Sequence, residues 1–137
     1  MINNAMNSSY EPNLLHRNHN PNKSQWIISK KDEHGLFKQT YSSNWIYNDN
    51  NKLTGFGIKK NNNRTVLLGY SAVIYGRKEL KIAKFIENQN IWHGYPADYR
   101  THKADTPSTE ILKIWFDDGY INKKNMCKIL KGQKCNL

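Results

Sequence analysis

The stretch IWHGYPADYR, residues 91–100, is the densest group of side chains in this chain that could do chemistry. His93 could act as a general acid or base, because an imidazole titrates near neutral pH. Asp98 could orient that ring, and Arg100 could hold a phosphate or a developing negative charge. This set would suit cleavage of a phosphodiester or another hydrolysis. One alternative function is therefore a nuclease-type toxin or other hydrolase that uses His93 and Asp98.

The same stretch could bind a ligand without catalysis, or only pack. A nucleotide or base could stack on Trp92 or Tyr99 while Arg100 contacts its phosphate. In a packing interpretation, the two aromatic rings hold helices against a sheet and His93 donates to a backbone carbonyl. His102 follows closely and could extend a catalytic set or join a group of metal ligands, but the spacing predicts no metal site and no particular cofactor.

Positive charge is the strongest compositional signal. Lysine and arginine number 21 against 11 acidic residues, which gives a net charge of +10. No acid follows Asp118, while lysines recur at positions 123, 124, 128, 131 and 134. Such a field attracts polyanions and suits nucleic acid or an acidic protein partner. The alternative is a solubilising surface on a protein whose codons favour lysine and asparagine.

The preferred prediction is a small basic cytoplasmic protein that binds nucleic acid, RNA or DNA, mainly through phosphates. In the predicted last helix the lysines fall largely away from an apolar side formed by Met126, Ile129 and Leu130. Lysine contacts phosphate as a point charge, which positions a complex without reading much sequence. The predicted binding residues are Lys123, Lys124, Lys128, Lys131, Arg100 and the stacking candidates Trp92 and Tyr99. A third interpretation is a protein-interaction module, such as an inhibitor or immunity-like protein, that docks an acidic partner through the same lysines.

The chain predicts one α+β domain over residues 24–137 after a flexible tail over residues 1–23, which is rich in asparagine, serine and proline. An antiparallel β-meander of about four strands is expected first, with turns at the asparagine clusters 48–51 and 61–63. An apolar stripe at helical spacing predicts a helix over residues 77–88. A C-terminal helical hairpin follows, in which Thr106, Pro107 and Gly119 mark the first helix and Asn122 caps the second.

Two histidines, His16 and His19, lie in the predicted tail. They lack the strand-turn-helix context of a metal-dependent nuclease loop, so no role is assigned to them. The two cysteines, Cys127 and Cys135, are too few for a disulfide scaffold and indicate reduced thiols in a cytoplasmic setting. No apolar run approaches the roughly 20 residues that span a bilayer, so no membrane association is expected.

Overall fold

The computed structural model describes residues 9–137, and this part of the chain has a mixed α+β fold. The helices are α1 (Lys30–Ser42), α2 (Thr109–Asp117) and α3 (Lys123–Leu130), with 3₁₀ turns at Leu14–His16, Val73–Tyr75 and Lys103–Asp105. The strands are β1 (Ser9–Tyr10), β2 (Gln25–Trp26), β3 (Ile46–Asp49), β4 (Lys52–Gly57), β5 (Lys60–Asn61), β6 (Arg64–Thr65), β7 (Gly69–Tyr70), β8 (Glu79–Leu80), β9 (Ala83–Asn88) and β10 (Ile91–Pro96). No helix among these is both long and apolar enough to cross a bilayer.

The main sheet has five strands in the order β1-β10-β9-β4-β3, so the predicted simple meander is wrong. Its centre is antiparallel, with Phe85 of β9 paired to Gly94 on one side and to Gly55 on the other. The edge strand β1 is parallel to β10, with Tyr10 opposite Trp92. Strands β2, β7 and β8 form a second sheet, and β5 and β6 form a separate hairpin. The chain leaves the main sheet after β4 to form β5 to β8 and returns at β9, whereas β2 precedes α1.

Three hairpins turn on two-residue loops with left-handed backbone angles. Asn50 and Asn51 join β3 to β4, with φ angles of 52° and 69°. The pair Asn62 and Asn63 joins β5 to β6 in the same way, and residues 89 and 90 join β9 to β10. Asparagine tolerates positive φ, and a turn of this kind matches the twist of the strands it connects. The two turns predicted from asparagine clusters are confirmed.

Helix α1 occupies part of the region where the sequence predicts the first strands of the meander. Ser29 caps it by accepting a hydrogen bond from the backbone N–H of Asp32 at 3.0 Å. Its buried face carries Glu33, Leu36, Phe37 and Thr40, which recur at helical spacing. A carboxylate in the middle of that stripe, and β-favouring aromatic and threonine residues around it, conceal the helical period.

The helix predicted over residues 77–88 is also wrong, because these residues form β8 and β9. Strand β9 lies between β10 and β4, and its first half is buried on both faces. A strand that is buried on both faces has no alternation of apolar and polar residues. Its short apolar run can therefore also be fitted to one face of a helix. Lys84 would lie on the polar side of such a helix, but in the structure it is buried, with 7% of its surface exposed.

The C-terminal helical hairpin is confirmed, with α2 and α3 as its two helices. Ser108 caps α2 by accepting from the backbone N–H of Ile111, two residues later than the predicted cap at Thr106. Asn122 caps α3 as predicted, accepting from the backbone N–H of Asn125 at 2.7 Å. Trp115 of α2 packs edge-on against Trp45, with 5.8 Å between ring centroids, and joins the hairpin to an apolar cluster that includes Phe56 of β4.

A second apolar cluster lies under α1, where Phe37 packs against Phe85 and Trp92 of the main sheet. Tyr10, in the segment predicted as a tail, packs against this cluster, while residues 1–8 lie outside the described residues. Tyr10 stacks on Phe37 with ring centroids 4.9 Å apart. Arg17 donates to the buried Glu33. Tyr10 and Arg17 therefore hold this segment against the main sheet and α1, although its average composition is typical of disorder.

Candidate nucleic-acid interface and neighbouring cleft

The lysines of the C-terminal helix lie on the surface and are not neutralised. Lys123, Lys124 and Lys131 are exposed and Lys128 is half-buried, while Ile129 points into the core. The ion pairs of residues 9–137 join Arg17 to Glu33, Lys78 to Asp98 and Lys84 to Asp105, and none involves these four lysines. Their charges are therefore available to an approaching polyanion.

A groove of about 450 Å³ runs beside α3. Hereafter called the lysine groove, it is lined by ammonium groups, side-chain amides and one thiol: Lys124, Lys128, Lys134, Asn122, Asn125, Asn136 and Cys135. Asn125 donates from its side-chain amide to the backbone carbonyl of Asn136 at 3.0 Å, which holds the last residues against the helix. The lining includes no carboxylate. This is the donor chemistry that phosphate oxygens accept.

A second groove of about 250 Å³ contains Arg100, and it shares Lys134, Cys135 and Asn136 with the lysine groove. This Arg100 groove adds Lys78 and Lys81 to the basic surface, and its two acidic side chains are Glu79 and Asp98. Lys78 lies 3.2 Å from Asp98, so that carboxylate is already partnered by a cation.

Tyr99 fastens the C-terminal segment to the Arg100 groove. Its hydroxyl donates to the backbone carbonyl of Gln133 at 2.7 Å and lies 3.5 Å from the thiol of Cys135. Burial, then the neighbouring thiol, raises the pKa of Tyr99, so its hydroxyl stays protonated as a donor. Tyr99, predicted to stack on a base, is half-buried, and its hydroxyl is hydrogen-bonded within the protein.

Trp92, the other stacking candidate, is fully buried on β10. Its ring lies 5.2 Å from the ring of Phe37 and 6.0 Å from that of Tyr41, measured between centroids. A base would have to displace α1 to reach it. In this structure Trp92 is part of the core that positions the surface.

His93 and Asp98 do not form a hydrogen-bonded pair within the described residues. The ring of His93 bonds through Nδ1 to the backbone carbonyl of Glu11 at 2.9 Å, the kind of bond that the packing interpretation predicts. Asp98, at 3% exposure, lies against Lys78 and accepts from the backbone N–H of Thr101. A catalytic role for this pair stays a prediction without a shared contact to support it.

A third depression, of about 490 Å³, shares Asp98 with the Arg100 groove. We call it the histidine cleft, because two imidazoles from distant parts of the sequence line it. The imidazoles are those of His16 and His102, and the lining also includes two tyrosines, a lysine and two buried carboxylates: Tyr75, Tyr95, Lys23, Asp98 and Asp105. The packing of the segment 9–24 against β10 creates this cleft, which a mobile tail would not.

Asp105 organises one wall of the histidine cleft. It accepts from the hydroxyl of Tyr95 at 2.8 Å and from the backbone N–H of Asp98 at 3.0 Å. Buried Lys84 lies 3.8 Å from the same carboxylate and donates to the carbonyl of Ala104 at 2.7 Å. The ring of Tyr95 in turn stacks on that of His16, with centroids 5.0 Å apart.

His16 has a defined tautomer in this wall. Its Nδ1 lies 2.8 Å from the backbone carbonyl of Ser24, which can only accept, so Nδ1 carries the proton. Nε2 of the neutral ring is then a proton acceptor. Burial lowers the pKa of His16 below its ordinary value, so the neutral form is favoured near neutral pH.

The sequence does not predict that His16 and His102 lie in one cleft, because the composition around His16 is typical of disorder. The ion pair between Arg17 and the buried Glu33 holds His16 in place, and an acid within an otherwise apolar helical face is the signal in the sequence for such a pair. Among residues 9–137 no three histidine, cysteine or acidic side chains are placed to hold a metal ion.

A scan against protein-family models, a search of curated proteins and a search of solved structures each found no match.

Proposed function

We propose that this protein binds nucleic acid through a basic surface formed by the lysine groove and the Arg100 groove. The observation that carries the proposal is the lysine groove itself, where Lys124, Lys128 and Lys134 line one depression without a carboxylate. When such a row of ammonium groups meets the phosphates along a strand, it releases the counterions condensed on those phosphates, which favours binding at moderate salt. Arg100 adds a charge in the adjoining groove, and Lys123 and Lys131 are exposed at the start of α3 and just after its end.

The surface suits binding to the backbone more than reading of bases. Lysines supply most of its charge, and a lysine ammonium contacts phosphate without a fixed geometry. The amides of Asn122, Asn125 and Asn136 add donors and acceptors, but those of Asn122 and Asn125 already bond to the protein. We therefore expect weak sequence preference.

A cytoplasmic location is part of the proposal. Cys127 is an exposed free thiol and Cys135 a half-buried one, and neither is paired with another cysteine. Exposed thiols persist where the compartment is reducing, which is also where nucleic acid is abundant.

The triple variant Lys124→Glu/Lys128→Glu/Lys134→Glu is expected to bind a short labelled single-stranded oligonucleotide at least about tenfold more weakly, because three phosphate contacts become repulsions. Fluorescence anisotropy at low salt measures the change. The matched control reverses three exposed lysines of α1, at positions 30, 31 and 38. Each set of three reversals removes six units of charge, so both variants fall from +10 to +4.

The control is expected to bind within about threefold of the wild-type protein, since it alters only the long-range field. Equal weakening in the two variants would mean that net charge alone governs binding, and the lysine groove would lose its assigned role. No loss in the groove variant would overturn the proposal outright.

A further inference from the structure

The histidine cleft contains the two kinds of group that cleavage of RNA requires. One is a base able to remove the proton of a ribose 2′-hydroxyl, and the other is an acid able to protonate the departing 5′-oxygen. His16 presents a neutral ring whose Nδ1 proton is committed to the carbonyl of Ser24. That leaves Nε2 as the basic atom, and it makes no hydrogen bond to another described residue.

His102 supplies the second imidazole from the opposite end of the sequence. It is exposed at the rim, and its ring stands edge-on to Tyr75 with centroids 4.9 Å apart. The backbone N–H of His102 donates to the carbonyl of Asp98 at 2.9 Å, which fixes the position of the loop. Its side chain forms no hydrogen bond within the described residues, so the ring is available to carry and deliver a proton.

The charge of the cleft admits a phosphate despite its two carboxylates. Asp98 is partnered by Lys78 at 3.2 Å, and Asp105 lies 3.8 Å from Lys84. Lys23 lines the cleft and is exposed, and its charge is not offset, because each of the two carboxylates has a lysine partner behind the lining. This balance leaves a site with a positive excess for one backbone phosphate.

Position and shape connect the cleft to the basic surface. Asp98 forms a wall shared by the cleft and the Arg100 groove, and that groove shares the segment 134–136 with the lysine groove. Tyr75, 39% exposed at the rim, offers a ring on which a base can stack. A strand held by the lysines thus has a route to the two histidines.

We propose that the histidine cleft cleaves single-stranded RNA, with His16 as the general base and His102 as the general acid; this inference rests on the proposed binding function. His16 Nε2 takes the proton of the 2′-hydroxyl while the 2′-oxygen attacks the adjacent phosphorus. The bond from phosphorus to the 5′-oxygen of the next nucleotide breaks, and that oxygen receives a proton from His102. The products are a 2′,3′-cyclic phosphate and a free 5′-hydroxyl, and the step consumes no water, oxidant or other co-reactant.

Asp105 and Tyr95 are positioning residues in this scheme. The carboxylate fixes the hydroxyl of Tyr95, and the tyrosine ring stacks on His16. Ser24 holds the far side of the imidazole through its carbonyl. The orientation of the base is therefore set by contacts that do not reach the substrate.

The test incubates the full chain with a 5′-labelled single-stranded RNA and with the DNA of the same sequence, in the presence of a chelator. We expect the RNA to yield fragments ending in 2′,3′-cyclic phosphate and the DNA to stay intact, because DNA lacks the attacking hydroxyl. His102→Ala, a change at an exposed side chain, is expected to slow cleavage at least about 100-fold. His16→Gln is expected to do the same, and circular dichroism checks that it folds.

His34→Ala is the matched control, because His34 is an exposed histidine of α1 that lines neither the cleft nor the two grooves. It should cleave within about threefold of wild type, while both cleft variants should bind the uncleaved DNA as tightly as wild type does. Absence of RNA cleavage by the wild-type protein, or cleavage that survives His102→Ala, would overturn the site. Either result leaves the lysine groove to be judged separately, by the anisotropy of its own triple variant.

Discussion

Glu33→Gln is expected to lower the free energy of unfolding by about 3 kcal/mol, the largest single effect that we predict for a polar side chain here. Glu33 is fully buried, and Arg17 donates to one of its oxygens from Nε at 3.0 Å and from Nη2 at 2.7 Å. The hydroxyl of Tyr10 donates to the other oxygen. A neutral amide removes the charge that satisfies Arg17, whose side chain is only 15% exposed. Urea denaturation measures the change.

Glu79→Gln is the control, since Glu79 is exposed on β8 and forms no ion pair with another described residue. It should change the free energy of unfolding by less than about 0.5 kcal/mol. A Glu33 variant as stable as this control would mean that the segment 9–17 does not depend on the buried carboxylate. The histidine cleft would then lose its structural support, because His16 belongs to the same segment.

Gly69→Ala is expected to lower the free energy of unfolding by about 1–3 kcal/mol, or to prevent folding, because the added methyl group has no space. Gly69 lies on β7 opposite Trp26, and a Cβ there would overlap the backbone carbonyl of Gln25. It would also come within 2.8 Å of Pro96. A backbone atom cannot rotate away as a side chain can, so β2 and β7 would have to separate. Thermal and urea denaturation both report the loss.

Gly35→Ala is the matched substitution, and its expected effect on the free energy of unfolding is the opposite. Gly35 lies within α1, and an added Cβ meets no atom within 4 Å. Alanine in a helix interior is favoured over glycine by about 0.5–1 kcal/mol, so this variant should be more stable than wild type. Similar stability changes in the two glycine variants would contradict the packing described for β2 and β7.

The sequence predicts the parts of this fold that depend on local chemistry. Asparagine pairs mark two of the hairpin turns because few residues adopt left-handed angles. The apolar stripe of α2 and the capping residue Asn122 are equally local signals, and the C-terminal hairpin follows from them. These features need no knowledge of what lies across the core.

Long-range partnerships explain the failures. Glu33 interrupts the apolar face of α1, and only the distant Arg17 and Tyr10 make its burial favourable. Lys84 looks like part of a solvated face until Asp105 is brought beside it. The histidine cleft is hidden in the same way, since the residues that line it lie 86 positions apart at His16 and His102.

The dependence of nucleic-acid affinity on salt tests the basic surface most directly. Each phosphate neutralised on a single strand makes the slope of log affinity against log salt concentration more negative by about 0.7. Three groove lysines therefore predict a slope of about −2 or steeper for the wild-type protein. The triple variant at positions 124, 128 and 134 should lose about 2 units of that slope, whereas the α1 control should keep it. A flat dependence for the wild-type protein, or equal slopes in all three proteins, would contradict phosphate binding at this surface.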